Sequence, residues 1–169
     1  MDEPLRVLSD LPVHPHRSID PEQYRLRVDG LARERLTLSL NDLQVLARAV
    51  LVEDFTCLEG WVVPGQQWAG IPLDAVLRAA EPAVGARWVQ ASCAEFGVPL
   101  AIDRASDVLL ALSLNGAPLT PEHGAPVRVV VRGGECFTSV KWVDHLELTA
   151  EPLESTGERI ARERLAIRD

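Results

Sequence analysis

Tyr24, Leu26 and Val28 alternate with Arg25 and Arg27, Asp29-Gly30 interrupts the run, and Leu36, Leu38 and Leu40 resume the period of two. Successive side chains of an extended strand point to opposite faces, so this pattern predicts two half-buried strands. Ser39 or Asn41 is a candidate cap for a short helix through Leu43, Leu46 and Ala47. Residues 49–56, apolar apart from Glu53, Asp54 and Thr56, predict a strand that delivers Cys57 to a strand-to-loop junction. Residues 57–67 contain Gly60, Pro64 and Gly65 and predict a loop. Beyond it, Leu73, Val76, Leu77 and Ala80 keep helical spacing, with Pro72 as a first-turn proline.

Further strands are predicted at residues 87–92, 98–102, 108–114, 127–131 and 140–148, with Asn115-Gly116 a strong turn signal. The expected class is α+β, a mixed fold with more strand than helix, in one domain over residues 1–150. Residues 151–169 change character. Pro152 and Gly157 precede a charged stretch whose large apolar residues are Ile160, Leu165 and Ile167, which predicts an appended helix or a loose tail.

Composition narrows the function classes. A chain of 169 residues that is 47% hydrophobic can bury one ordinary core. With 25 acidic against 17 basic residues it lacks the clustered positive charge that nucleic acid or an anionic membrane surface requires. No apolar run approaches membrane-spanning length, so no membrane insertion is expected. Cys57, Cys93 and Cys136 lie too far apart for a paired zinc site and are too few for a disulfide framework, which suits a reducing compartment. Met1-Asp2-Glu3-Pro4-Leu5 has neither a basic region leading into an apolar core nor a twin arginine, so the expected location is cytoplasmic. His14, His16, His123 and His145 are too scattered for a metal cluster, and His145, inside a strand pattern, reads as structural.

The candidate chemistry centres on Cys57, because a thiolate at a strand end can bind a soft metal. It opens Cys57-Leu58-Glu59-Gly60-Trp61. Downstream follow Trp68-Ala69-Gly70-Ile71-Pro72-Leu73, the run from His123-Gly124-Ala125-Pro126 through Arg128 to Val131, and Ser139-Val140-Lys141-Trp142. In this order the segments resemble the molybdopterin-dependent oxidoreductases of the sulfite oxidase type. The Cys-Leu-Glu-Gly-Trp version looks closest to the bacterial branch of the methionine sulfoxide reductase catalytic subunit, and the resemblance runs from residue 8 to residue 148.

The resemblance implies a molybdenum–molybdopterin cofactor with Cys57 as the protein's ligand to the metal. Soft sulfur donors suit that metal, and a single protein bond leaves room for oxygen-atom transfer to or from a small substrate. Glu59 takes the place of a carboxylate that orients a metal-bound oxygen or relays protons. Arg128, Ser139, Val140 and Lys141 match the residues that anchor the pterin phosphate, His123 takes a position often held by asparagine, and Ser92 matches a threonine or serine contact. No Cys-x-x-Cys-His haem motif is present, so electrons are expected to pass to a separate partner, a haem protein or similar. Relatives of this kind are often exported, and a cytoplasmic placement departs from that pattern.

The chain also departs from the family. Arg132, Gly133, Cys136 and Thr138 replace a Pro-Gly or Pro-His pair, a glycine and a cation just before the Ser-x-Lys-Trp motif. Loss of the cation at Thr138 removes a charge that favours phosphate, for which Arg132 is the candidate substitute. Phe96 stands where many relatives have tyrosine, Asp10-Leu11-Pro12-Val13 lacks an amide and an imidazole, and the dimerisation domain of sulfite oxidases is missing, which makes sulfite a poor first choice. Two rival readings follow. One is a non-catalytic domain of the same fold that acts as a binding or assembly module. The other is a thiol redox protein pairing Cys57 with Cys93 or Cys136.

Overall fold

Alternating apolar positions become the inner faces of two sheets in the computed structural model, which describes residues 4–13 and 15–167. Met1, Asp2 and Glu3 of the leader reading, His14, and Arg168 at the end of the charged tail lie outside the described residues.

The first sheet runs β1 (Arg6–Val7), β5 (Trp61–Pro72), β8 (Val108–Leu114) and β10 (Arg128–Val131), with β4 (Ala49–Cys57) paired to β5 and β9 (Ala117–Pro118) to β8. The second runs β3 (Leu36–Leu38), β2 (Leu26–Gly30), β11 (His145–Thr149), β6 (Trp88–Cys93) and β7 (Phe96–Ala101). β1 with β5 and β11 with β2 are parallel, and the other pairs are antiparallel. This is the mixed, strand-rich α+β architecture that the periodicity predicts.

β5, β8 and β10 of the first sheet feed two cores, because their odd and even residues face opposite ways, whereas β4 feeds only the second. Ile71, Val108, Leu110, Val127 and Val129 join the main core with Leu26, Val28, Leu146 and Leu148 of the second sheet. Phe55, Cys57, Trp61, Trp68, Leu109 and Val130 form a second cluster on the opposite face. Gly70 sits where β5 approaches β8 so closely that an added Cβ would lie 2.0 Å from the Leu110 carbonyl oxygen, a steric reason for the glycine of the Trp-Ala-Gly-Ile-Pro motif.

Two expectations change. Residues 57–67 are not one loop: Gly60 N–H returns to the Cys57 carbonyl in a tight turn, and β5 begins at Trp61. The disguise is a bulge. Along β5 the buried positions are Trp61 and Val63, then Gln66 and Trp68, so Pro64-Gly65 inserts one residue and flips the phase of the alternation. Asp54 Oδ1 accepts from Gly65 N–H at 2.8 Å and fixes the insertion. The expected strand over residues 140–148 shortens to β11, because Trp142 adopts a left-handed backbone (φ 56°) that breaks extension.

Helices are few. Ser39 caps α1 (Leu40–Gln44) in a reciprocal arrangement with Asp42. Pro72 proves to be the N-cap of α2 (Leu73–Ala80), not its first turn. α2 buries Leu73 and Val76 completely, each worth about 1.5–3 kcal/mol of transfer free energy. The charged tail is helical as α3 (Thr156–Ala166), tied to the β6–β7 turn by Thr156 Oγ1, which donates to the Glu95 carbonyl and accepts from Gly97 N–H, both at 2.8 Å. No helix of the described residues is long and apolar enough to cross a membrane.

Candidate active site

Chain turns and strand ends border an open-sided cavity of about 640 Å³, the size range of cofactor pockets. The β4–β5 turn contributes Cys57, Glu59 and Trp61; the β6–β7 turn contributes Cys93 and Phe96; β10 contributes Arg128; and the segment before β11 contributes Cys136, Ser139 and Lys141. α3 closes one side with Ile160, Ala161 and Arg164. The fold thereby gathers around one space residues that lie far apart in the sequence.

Arg128 is the electrostatic centre of the cavity wall. The strand alternation that sends Val127 and Val129 into the main core turns Arg128 toward the second cluster, where its guanidinium lies 5.1 Å from the ring centroids of both Phe55 and Trp68. Its Nε donates to Ser139 Oγ at 2.7 Å and one Nη to the His123 carbonyl at 3.1 Å. Ser139 Oγ in turn donates to the Val129 carbonyl at 2.7 Å, so the hydroxyl is locked as an acceptor for the arginine. Burial lowers the Arg128 pKa to about 9. Lys141 donates to the Glu122 carbonyl at 2.6 Å, and burial, reinforced by Arg128, lowers its pKa to about 8.

Among the described residues neither Arg128 nor Lys141 has a carboxylate within ion-pair distance. A buried cation, Arg128, and a half-buried one, Lys141, whose partners are neutral oxygens form a site with unspent positive charge, which suits an anionic group such as a phosphate. Close by, His123 Nδ1 is buried without a hydrogen-bond partner among the described residues, and desolvation together with Arg128 lowers the imidazole pKa. At the other wall Trp61 Nε1 donates to Glu59 Oε2 at 3.3 Å, which aims the carboxylate across the β4–β5 turn.

The residues expected from sequence fall into two sets. Cys57, Glu59, Arg128, Ser139 and Lys141 line the cavity together. Ser92, His123 and Val140 lie behind its wall: Ser92 is paired in the second sheet beside the wall residue Cys93, His123 supports Arg128 through its carbonyl, and Val140 is fully buried. Arg132 does not replace the missing cation, because it points away toward Glu53 and Asp107, at 3.4 and 3.8 Å. His145 pairs with Asp29 at 2.7 Å in the second sheet, the structural role expected. Arg17 and Arg164 also line the cavity without a motif to mark them. Only the helical spacing that puts Ile160, Ala161 and Arg164 on one side of α3 hinted at the latter.

A soft ligand and a cationic wall facing one shared cavity are the two ends that a metal-bearing, phosphorylated organic cofactor needs. Residues 12–157 match the family model described as oxidoreductase molybdopterin binding domain. The chain belongs to that family. Other members are similar across much of its length. The uncharacterised oxidoreductase YuiH of Bacillus subtilis is 31% identical over 78% of this chain and 68% of its own length. The protein-methionine-sulfoxide reductase catalytic subunit MsrP of Ralstonia nicotianae is 32% identical over 73% of this chain and 43% of its own. Among solved structures, the sulfane dehydrogenase SoxCD of Paracoccus pantotrophus superposes with a TM-score of 0.76 at 26% identity, over 83% of this chain and 41% of that one. The chain thus spans less than half of MsrP and of SoxCD. This molybdopterin-binding domain also carries a pairing its sequence left open. Cys57 and Cys136 form a disulfide with Cα atoms 4.9 Å apart, while Cys93 is free and buried, its thiol pKa raised by desolvation.

Proposed function

We propose that this chain is a molybdenum-cofactor-dependent oxidoreductase that transfers an oxygen atom to or from a small substrate and exchanges electrons with a separate redox protein. The observation that carries the reading is the shared cavity: Cys57 on one wall and the uncompensated cations Arg128 and Lys141 on another.

When bound, the cofactor supplies the two-electron oxygen-atom chemistry. The protein supplies position and charge. Cys57, as a thiolate, would be the protein's ligand to the metal. Arg128, held flat by Phe55, Trp68 and Ser139, and Lys141 bind the pterin phosphate. The His123 carbonyl accepts from Arg128 and the Val140 carbonyl accepts from Val129 N–H, which braces this wall, and Ser92 is the candidate contact on the Cys93 side. Glu59 accepts or returns a proton on the substrate side, with Trp61 fixing its orientation. Phe96 and Ile160 add apolar surface to the cavity lining, which suits a small organic substrate. Electrons that reset the cofactor come from a redox group outside this domain, for which a separate redox protein is the proposed source. A cytoplasmic placement suits the few, widely spaced cysteines, and the Cys57–Cys136 disulfide weighs against it.

Metal and pterin analysis of protein made in cofactor-competent cells tests the reading. Stoichiometric molybdenum is expected in the wild type and its loss in Cys57→Ser, with the fold unchanged by circular dichroism. A wild-type protein with neither molybdenum nor pterin overturns it. A cofactor-free binding module is the second reading, favoured by the turn of Arg132 away from the phosphate wall. Such a module would keep its partner binding in Cys57→Ser.

A further inference from the structure

The residue that would hold the metal is engaged with another sulfur. Cys57 ends β4, and Cys136 opens the short 3-10 turn Cys136–Thr138 that sits between the Val131 strand end and the anion-binding Ser139. Although 79 residues separate them in sequence, their Cα atoms are 4.9 Å apart, inside the range that a disulfide spans. Both cysteines line the same cavity, and Cys136 is half-buried, so a small thiol or disulfide reagent reaches the pair through the space the cofactor would use.

We propose that Cys57 and Cys136 are a reversible dithiol–disulfide couple, and that the disulfide and molybdenum compete for Cys57 Sγ. The proposal rests on the molybdenum reading above. A metal takes the thiolate, and a sulfur in a disulfide has no thiolate to give. Closing the disulfide removes two protons and two electrons from the two thiols. A low-molecular-weight disulfide accepts them: one protein thiolate attacks it and expels a thiolate, then the second attacks the mixed disulfide and expels the other, giving two free thiols. Two thiols reverse the exchange and reopen the site. The empty chain therefore carries its ligand protected against over-oxidation to sulfinic acid, and a reducing environment makes it ready for cofactor.

Cys93 provides an internal control. It lines the cavity but is free, and an exposed arginine, Arg17, donates to its sulfur at 3.4 Å. The couple consequently involves two of the three cysteines of the chain.

The test uses the cofactor-free 169-residue chain, either reduced with a phosphine or oxidised with diamide and then freed of reagent. Alkylation after denaturation should label all three cysteines of the reduced form and only Cys93 of the oxidised form. Both forms are then offered molybdenum–molybdopterin released from a donor molybdoenzyme, and bound molybdenum and pterin are measured after gel filtration. Uptake by the oxidised wild type should fall by about tenfold or more and return on reduction, since ligation requires a thiolate. Cys136→Ala, which cannot close the bond, should take up equal metal before and after diamide. Equal uptake by oxidised and reduced wild type, or three labelled cysteines after oxidation, overturns the proposal and leaves the molybdenum reading standing. No uptake by reduced wild type or by Cys136→Ala overturns that reading and the competition with it.

Discussion

Ser139 Oγ accepts the Nε–H of Arg128 at 2.7 Å while donating its own proton to the Val129 carbonyl, so one hydroxyl ties the guanidinium to the strand that carries it. The arrangement holds a cation in a buried place without neutralising it. Removing Ser139 with alanine strands a buried N–H, and the cost should be about 1–3 kcal/mol, read as a lower midpoint in urea. Ser139→Thr should recover part of that loss by keeping the hydroxyl.

Arg128 itself should behave in the opposite way. Its depressed pKa reports that burial penalises the charge, so Arg128→Met, similar in length and apolar, should leave the cofactor-free chain at least as stable as wild type. The same variant should lose pterin. A thermal melt and a pterin fluorescence measurement on one preparation check both halves.

Lys141 gives a pH signature with two signs. Its folded pKa, about 8, lies below its ordinary value of 10.5. Between those values the unfolded chain holds the extra proton, so this group's contribution to the stability of the cofactor-free chain rises with pH over that window. Affinity for inorganic phosphate should run the other way and weaken as pH passes about 8, when the ammonium is lost. Lys141→Met should flatten both dependences, measured by thermal melts and by calorimetric titration across pH 7–10.

Gly124 should prove necessary for the position of Lys141. Its φ of +102° is a left-handed conformation that side chains rarely adopt, and a Cβ there would stand 3.0 Å from the Lys141 Cα and Cβ. Gly124→Ala should lower stability by about 1–3 kcal/mol and weaken phosphate binding as well. Unchanged phosphate affinity would show that Lys141 is placed by other contacts.

α3 should seal the cavity through Gly157. A Cβ at that position meets the Phe96 ring at 2.8 Å and the Phe137 carbonyl oxygen at 2.9 Å, and the carbonyl belongs to backbone that cannot swing aside. Gly157→Val should lift the helix, seen as faster amide exchange across Thr156–Ala166 with the exchange of β8 unchanged.

Local order supplied most of the fold. The strands at 108–114 and the Asn115-Gly116 turn, where both residues have positive φ, follow from periodicity and turn chemistry alone. The Pro64-Gly65 bulge escaped, because a one-residue insertion breaks the alternation in sequence while leaving the hydrogen-bonded ladder continuous in space. Trp142 shortened β11 for a comparable reason, since a left-handed residue carries no apolar or polar label.

The sequence by itself determined which residues could carry the chemistry: a cysteine at a strand end and an arginine, a serine and a lysine in fixed local spacing, each readable because neighbours in sequence share a strand or a turn. Tertiary structure alone decided which of them meet. Cys57 faces Cys136 and not Cys93, Arg132 leaves the site, and Arg17 and Arg164 enter it, because those relations depend on how separate strands and α3 pack, and contacts between distant segments leave no periodic trace in the chain.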